Sequence, residues 1–295
     1  MKKTAFIAIV GRPNVGKSTL LNSIIGEKVA IVSKKPQTTR NRITGIYTVA
    51  EDQFVFLDTP GLHKPRTRLG DFMVKTTAET LGGVDHAILV VEAREEVGDI
   101  EAQLISRFKA DKMRAILVIN KTDMVRASNI AKTIQAYSEA FDFDAVIPIS
   151  AKSGKGVDIV IEESRQYLSE GEWFFSEDMI TDQPERQIAA EIIREKLLRS
   201  LDEEIPHGTA VTIEEWKEKR DLVSIRAEIY CEKASHKGII IGKRGALIKQ
   251  IGTHARADIE RMLDTKVFLD LYVRVKENWR ESDFNINNFG YREDN

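Results

Sequence analysis

Short runs of apolar, mostly β-branched residues alternate with helical patterns through the first half of the chain. Such runs are typical of strands buried on both faces of a parallel sheet. The predicted buried strands are residues 5–10, 54–57, 86–91, 115–119 and 145–149. Residues 43–49 alternate in polarity instead, so we predict an antiparallel edge strand there. The first half is therefore predicted to be an α/β domain, with a mostly parallel sheet and helices on both faces.

The second half follows a different pattern. Residues 187–203 and 248–262 have apolar positions at helical spacing, and residues 211–214, 223–231 and 267–275 alternate as strands do. With a short helix before residue 242, the order is helix, strand, strand, short helix, long helix, strand. This order predicts an α+β domain. Cys231 falls on the inward face of its strand, where an inert buried thiol is expected.

An acidic stretch separates the two patterns. Residues 170–186 contain six acids and one base, which is typical of a solvated linker, although an aromatic cluster at 173–175 is expected to dock against one domain. We therefore divide the chain into a first domain (1–170), an acidic linker (171–185), a second domain (186–283) and a C-terminal tail (284–295).

Composition narrows the class of protein. A length of 295 residues and 42% hydrophobic residues are expected for two ordinary globular domains. A net charge of −2 excludes a globally basic nucleic-acid binder but not a local basic patch. One Cys excludes a disulfide framework and favours a reducing, intracellular site. No apolar run approaches the roughly 20 residues of a membrane span, and residues 5–10 are too short for a signal peptide, so we expect a cytoplasmic protein.

Residues 11–18, GRPNVGKS, match the phosphate-binding loop G-x-x-x-x-G-K-[ST]. The loop lies between a predicted strand and a predicted helix, where backbone N–H groups and the helix dipole favour phosphate. Lys17 would contact the β- and γ-phosphates, and the Ser18 hydroxyl would bind Mg²⁺. The nucleotide-binding residues predicted here are Gly11, Arg12, Pro13, Asn14, Val15, Gly16, Lys17, Ser18 and Thr19.

Further motifs follow other buried strands, at the sheet edge where open α/β sheets bind ligands. In the segment Asp58, Thr59, Pro60, Gly61, the Asp58 carboxylate would hold Mg²⁺ through water and the Gly61 N–H would contact the γ-phosphate.

Two motifs would recognise the base. In the segment Asn120, Lys121, Thr122, Asp123, the Asp123 carboxylate would accept hydrogen bonds from guanine N1 and N2, which adenine cannot donate. Lys121 would lie against the base and Asn120 would join the loops. Backbone amides of Ser150, Ala151 and Lys152 would meet guanine O6. Together these motifs predict GTP binding.

These motifs resemble the translation-factor-like GTPases, and GRPNVGKS together with PQTTR at 36–40 resembles the Era family. The resemblance implies that Thr39 closes on Mg²⁺ and the γ-phosphate, although two adjacent hydroxyls leave Thr38 as an alternative. The implied metal ligands are Ser18, Thr39 and Asp58. The implied catalytic residues are Asn14, Lys17, Thr39 and Gly61.

One position departs from Ras-like enzymes. Leu62 stands where those enzymes have a glutamine that orients the attacking water, so we expect slow unaided hydrolysis. Asn14 resembles an asparagine that helps related GTPases hold K⁺ beside the phosphates. The alternative is that Asn14 only forms a turn.

The second domain contains a G-x-x-G turn at 242–245, preceded by KGIII at 237–241. In this order of elements it resembles a KH domain of type 2, in which the turn clamps single-stranded RNA. Residues 233–257 hold six Lys/Arg and no Asp or Glu. The predicted RNA-binding residues are Lys237, Gly238, Ile241, Gly242, Lys243, Arg244, Gly245 and Lys249. Two roles are open for the aromatic residues after 275: stacking on further bases, or docking as a hydrophobic cap.

Over its whole length the chain resembles the Era family. The resemblance implies a ribosome-assembly GTPase, a monomer that binds the 3′-end region of small-subunit (16S) ribosomal RNA and the 30S particle. It implies Mg²⁺, K⁺ as an activating ion, and loose peripheral association with the inner face of the cell membrane. Two rival classes are a nucleotide-metabolising enzyme whose second domain binds a protein, and an RNA-binding scaffold with an inactive nucleotide domain.

Overall fold

A computed structural model describes residues 1–291, so the end of the predicted tail, 292–295, lies outside the described residues. The chain forms two compact units. The first contains Met1–Val32, Thr39–Pro65 and Phe72–Asp182. The second contains Ser33–Thr38, Arg66–Asp71 and the chain from Gln183 onward.

The first unit is built on one sheet. Its strands are β1 (Lys3–Val10), β2 (Ile43–Val49), β3 (Asp52–Asp58), β4 (His86–Glu92), β5 (Ala115–Asn120), β6 (Ala145–Pro148) and the short β7 (Ser169–Glu170). The strand order is β2-β3-β1-β4-β5-β6, and β7 pairs with β1. The pairs β2–β3 and β1–β7 are antiparallel and the other described pairs are parallel. The predicted α/β fold and its antiparallel edge strand are confirmed.

Helices cover both faces of this sheet. They are α1 (Lys17–Ile25), α2 (Arg68–Leu81), α3 (Asp99–Asp111), α4 (Ala127–Ala140) and α5 (Val157–Ser164). Alternate residues of β1 enter two apolar clusters: Ile7 and Ile9 pack with α1 and α5, while Ala8 and Val10 pack with α3 and α4. Burial on both faces explains why these strands are apolar at consecutive positions.

The acidic stretch is docked along the edge of this sheet. Trp173 Nε1 donates to Glu51 O (3.1 Å), and the backbone N–H groups of Phe174 and Phe175 donate to Gln53 Oε1 (3.0 and 3.1 Å). Farther along, Ile46 N donates to Ile180 O (2.8 Å). The first unit thus extends to Asp182, beyond the boundary that we placed at residue 170. Charge indicates that a segment is exposed, but it does not show where the backbone hydrogen bonds of that segment go.

The second unit has the element order expected of a KH domain of type 2. Its elements are α6 (Glu185–Ser200), β8 (Ala210–Lys219), β9 (Leu222–Cys231), α7 (Ala234–Ile241), α8 (Ala246–Leu263) and β10 (Lys266–Val275). The sheet order is β10-β9-β8, with β10 parallel and β8 antiparallel to β9. Inward residues of the sheet, such as Ile225 and Ile229, pack on Ile192, Ile251 and Ile259 of the helices.

The aromatic residues after 275 mostly form a cap on the second unit. Trp279 is fully buried and its Nε1 donates to Gly208 O (2.9 Å). Phe289 and Tyr291 pack against its ring, with centroids 5.2 and 6.0 Å away. Phe284, in the final helix α9 (Asp283–Asn288), is the exception, with 72% of its surface exposed. Within residues 1–291 no helix is long and apolar enough to cross a membrane.

Candidate functional site

The phosphate-binding loop joins β1 to α1. Gly16, at the start of α1, has φ 104°, and a Cβ there would lie 2.2 Å from Asn120 Nδ2, so the position requires glycine. The Lys17 ammonium donates to the carbonyls of Gly11 (3.3 Å) and Arg12 (3.0 Å), across the mouth of the loop. Burial lowers the pKa of Lys17 to about 8, against an opposing effect of Asp58. A bound phosphate would favour the charged form of this side chain.

Three oxygen-bearing side chains meet beside Lys17. Ser18 Oγ donates to Asp58 Oδ2 (2.6 Å) and lies 2.8 Å from Thr39 Oγ1, which is 3.4 Å from the same carboxylate oxygen. Burial raises the pKa of Asp58 to about 6, against the opposing effects of Lys17 and both hydroxyls. The other oxygen, Oδ1, is buried without a hydrogen-bond partner among the described residues. This set of hard oxygen donors fits Mg²⁺, which keeps phosphate and water oxygens as its remaining ligands.

The structure distinguishes the two adjacent threonines. Thr39 is the one at the oxygen cluster, whereas the Thr38 hydroxyl donates to Lys35 O (2.7 Å). Leu62 donates its backbone N–H to Gly11 O (3.2 Å), and its side chain packs against the apolar cluster under α3 and α4. An aliphatic side chain in that place cannot orient a water molecule.

The base-recognition loops are joined by Asn120. Its Nδ2 donates to Val15 O and its Oδ1 accepts from Ala151 N, both at 2.9 Å, so one buried amide connects three loops. Asp123 is exposed and accepts from Ser150 Oγ (2.7 Å), and this hydrogen bond lowers the pKa of Asp123. The carboxylate is therefore ionised and oriented toward an open side, as guanine recognition requires.

Sequence reasoning missed two supporting carboxylates. Lys121 Nζ donates to Asn14 O (2.7 Å) and forms an ion pair with Glu92, at the end of β4. Arg12 of the phosphate loop pairs with Glu101, which is almost completely buried in α3. Neither glutamate belongs to a motif, and each reaches its partner only through the fold.

The predicted RNA-binding turn lies between α7 and α8. Gly242, Arg244 and Gly245 have φ of 73°, 53° and 78°. A Cβ on Gly242 would lie 2.8 Å from Leu247 Cβ, so the turn requires glycine there. Lys243, Arg244 and Lys249 are exposed around this turn, whereas Lys237 is half-buried. The isoleucines before the turn differ in burial: Ile240 is fully buried in the core and Ile239 is 48% exposed.

Fold and site together define a class of protein: a P-loop GTPase domain followed by a KH domain. A family model described as a 50S ribosome-binding GTPase matches residues 6–121, and a KH domain model matches residues 204–280. The chain is 51% identical to the GTPase Era of Ruminiclostridium cellulolyticum, over 98% of each chain. It is 50% identical to the GTPase Era of Clostridioides difficile, over 99% of this chain and 100% of the relative. The chain belongs to the Era family of GTPases.

Two solved structures of Era superpose on almost the whole chain. A tyrosine-to-alanine variant of Aquifex aeolicus Era bound to GDP and AlF4⁻ superposes with a TM-score of 0.94 at 39% identity, covering 98% of this chain and 99% of that chain. A structure of Era in complex with MgGDPNP and nucleotides 1506–1542 of 16S ribosomal RNA gives a TM-score of 0.94 at 38% identity, covering 99% of both chains.

Proposed function

We propose that this protein is a GTP-hydrolysing switch that binds the 3′-end region of small-subunit (16S) ribosomal RNA and acts in small-subunit assembly and rRNA maturation. The observation that carries the proposal is the presence of a guanine-selective nucleotide site and a basic G-x-x-G turn in one chain. A related protein that was solved with a GTP analogue and 16S ribosomal RNA supports it.

In this proposal each residue of the nucleotide site has a separate role in binding the phosphates, Mg²⁺ or the base. Lys17 neutralises the β- and γ-phosphates, while Ser18, Thr39 and, through water, Asp58 hold Mg²⁺. Bound Mg²⁺ would supply further positive charge to the phosphate oxygens. The Gly61 N–H contacts the γ-phosphate, and Asp123 selects guanine. In the second domain, the turn at 242–245 clamps the RNA backbone.

We also propose that K⁺ serves as an activating ion held near Asn14. Leu62 leaves the water-orienting role unfilled, and a cation beside the phosphates would take the place of an arginine finger. Asn14 has φ 65°, which equally suits a residue that only forms a turn. Hydrolysis rates in K⁺ and Na⁺ at equal ionic strength test the idea. We expect faster hydrolysis in K⁺, and no difference in Asn14→Ala. Equal rates in the unaltered protein would contradict K⁺ activation.

We also propose, from the sequence, a cytoplasmic location, loose peripheral association with a membrane, and a monomeric state. Flotation with anionic vesicles tests the second, and sedimentation equilibrium tests the third.

Sequencing RNA that is crosslinked to the protein in cells, and then with GTP or GDP bound in vitro, tests the function as a whole. We expect crosslinks at the 3′ end of small-subunit RNA that change with the nucleotide. GTP hydrolysis without crosslinks would indicate a nucleotide-metabolising enzyme. Crosslinks that are the same with either nucleotide would indicate a scaffold.

A further inference from the structure

Arg194 lies in α6 and its side chain is fully buried. Its guanidinium forms a two-bond ion pair with Glu191, from Nε to Oε1 (2.8 Å) and from NH2 to Oε2 (2.5 Å). The remaining donors reach main-chain oxygens: NH1 donates to Gln37 O (3.4 Å) and NH2 donates to Thr38 O. All these residues belong to the second unit, which includes the segment Ser33–Thr38.

This segment ends one residue before Thr39, which belongs to the oxygen cluster with Ser18 and Asp58. The Thr38 carbonyl is held by Arg194, and the hydroxyl of the next residue, Thr39, contacts Ser18 and Asp58. One peptide unit joins the two threonines, and consecutive Cα atoms are about 3.8 Å apart, so Thr38 cannot shift far without moving Thr39. Gln37 has φ 57°, which is unfavourable for a residue with a side chain and needs support from its surroundings.

We propose that Arg194 is a positioning residue for GTP binding and hydrolysis, because it fixes the main chain immediately before Thr39. The inference rests on the proposed role of Thr39 as the threonine that closes on Mg²⁺ and the γ-phosphate. The planar guanidinium donates to the Glu191 carboxylate from Nε and NH2 and to two carbonyls from NH1 and NH2, an arrangement that a lysine ammonium cannot reproduce. A buried guanidinium that lost these carbonyls would be left with unsatisfied donors, so the contact resists opening.

The test compares nucleotide affinities, because Thr39 is expected to act only when the γ-phosphate is present. In Arg194→Lys and Arg194→Met we expect the dissociation constant for GDPNP with Mg²⁺ to rise about 10-fold, corresponding to about 1.4 kcal/mol. The dissociation constant for GDP should stay close to that of the unaltered protein, and a lower melting temperature is expected because a buried ion pair is lost, so a melting curve checks that each variant is folded at the assay temperature. Arg199→Lys is the matched control, because Arg199 lies on the same helix, is 52% exposed and pairs with Glu195. It should leave the GDPNP-to-GDP ratio unchanged.

Two further variants keep the outcome interpretable. Thr39→Ala tests the proposed function itself: if it leaves the GDPNP-to-GDP ratio unchanged, the switch assignment has failed. If Thr39→Ala changes the ratio but both Arg194 variants do not, only the positioning role is wrong. Should the Arg194 variants unfold, Glu191→Gln weakens the same ion pair at a side chain that is 23% exposed. A smaller shift of the ratio in the same direction would then support the proposal, and an unchanged ratio would overturn it.

Discussion

At the scale of single residues, Asp123 offers a sharp test of base selection. In Asp123→Asn we expect preference for xanthine over guanine nucleotides, because Asn presents one donor and one acceptor, while the 2-carbonyl of xanthine accepts where the guanine amine donates. Loss of the matched pair should lower GTP affinity about 100-fold or more. Competition of unlabelled GTP and XTP against a labelled nucleotide measures both effects. A variant that still prefers GTP would contradict the assignment.

His86 is a residue whose effect we expect in stability rather than in function. It is fully buried at the start of β4, stacked on Tyr167, and neither ring nitrogen has a hydrogen-bond partner among the described residues. Burial lowers the pKa of His86 from 6.5 to about 3, against an opposing effect of Asp144. Between these values the unfolded chain binds the proton and the folded chain does not. Stability is therefore lost as pH falls from 6.5 toward 3.

Replacing His86 with Leu, which has similar volume and no titrating group, should weaken this dependence. We expect the free energy of unfolding to change less steeply with pH, by up to about 1.4 kcal/mol per pH unit. Urea unfolding at several pH values between 4.5 and 6.5 measures the slope. The transition to follow is the unfolding of the first unit, which contains His86 and is identified because added GDP shifts it. His254→Leu, at an exposed position of α8, is the control. Identical slopes in the His86 variant and the unaltered protein would show that protonation of His86 does not contribute.

Which residue contacts which could be predicted only where a motif fixes the spacing. The sequence could not separate Thr38 from Thr39, because both hydroxyls are one peptide apart, and the hydrogen bonds to Lys35 and Ser18 distinguish them. Arg194 is outside every motif, and the helical spacing of apolar positions predicts charged residues on the solvent side of its helix, whereas the structure buries every residue from Ile192 to Leu198. Its buried place follows from a contact 156 residues away in the chain.

At the scale of elements, the turn between α7 and α8 can be separated from the stability of its domain. The double variant Lys243→Asp, Arg244→Asp should abolish most RNA binding, because each change removes an attraction to phosphate and adds a repulsion. If each base neutralises one phosphate, neutral substitutions alone should lower the single-strand salt slope by roughly 0.7 per residue. Both side chains are exposed, so the melting temperature should hardly change.

Titration of a labelled ribosomal 3′-end oligonucleotide at several salt concentrations, beside a melting curve, measures both effects. A control with the same charge change is Arg261→Asp, Lys266→Asp, because Arg261 is exposed in the last turn of α8, about 24 Å along the helix from the turn. Equal losses in both double variants would show that only net charge matters. Unaltered affinity in the first would remove the RNA-binding role of the turn.

Most elements could be predicted because one physical signal marked each of them. The central strands of the first unit are apolar at consecutive positions since both faces are covered, and the strands of the second unit alternate since one face is covered. The segment at 173–182 has no periodic pattern, and only its aromatic residues at 173–175 predicted that it docks against a domain. Its attachment depends on the Gln53 side chain, which accepts hydrogen bonds from two backbone N–H groups of the segment, and on the hydrogen bond from Ile46 N of β2 to Ile180 O. Hydrogen bonds of this kind leave no period in the sequence.

At the scale of the whole molecule, we expect nucleotide and RNA affinities to be coupled, and Arg194 to be needed for the coupling. Thermodynamic linkage requires that, if GDPNP changes RNA affinity relative to GDP, RNA changes the GDPNP-to-GDP preference by the same factor. Helix α6 belongs to the unit that contains the RNA-binding turn, and its Arg194 donates to the Thr38 carbonyl. We therefore expect GDPNP to change RNA affinity, relative to GDP, by about 5-fold or more in the unaltered protein.

In Arg194→Met this factor should fall toward one, although GDP and RNA each still bind. Fluorescence titrations of the RNA oligonucleotide with GDP or GDPNP saturating, and of each nucleotide with and without the oligonucleotide, close the thermodynamic cycle. Arg199→Lys should keep the factor of the unaltered protein. The double variant Lys243→Asp, Arg244→Asp should keep the nucleotide preference measured without RNA, because its substitutions leave the segment Ser33–Thr38 untouched. A coupling factor that survives Arg194→Met would show that nucleotide and RNA communicate through some other contact.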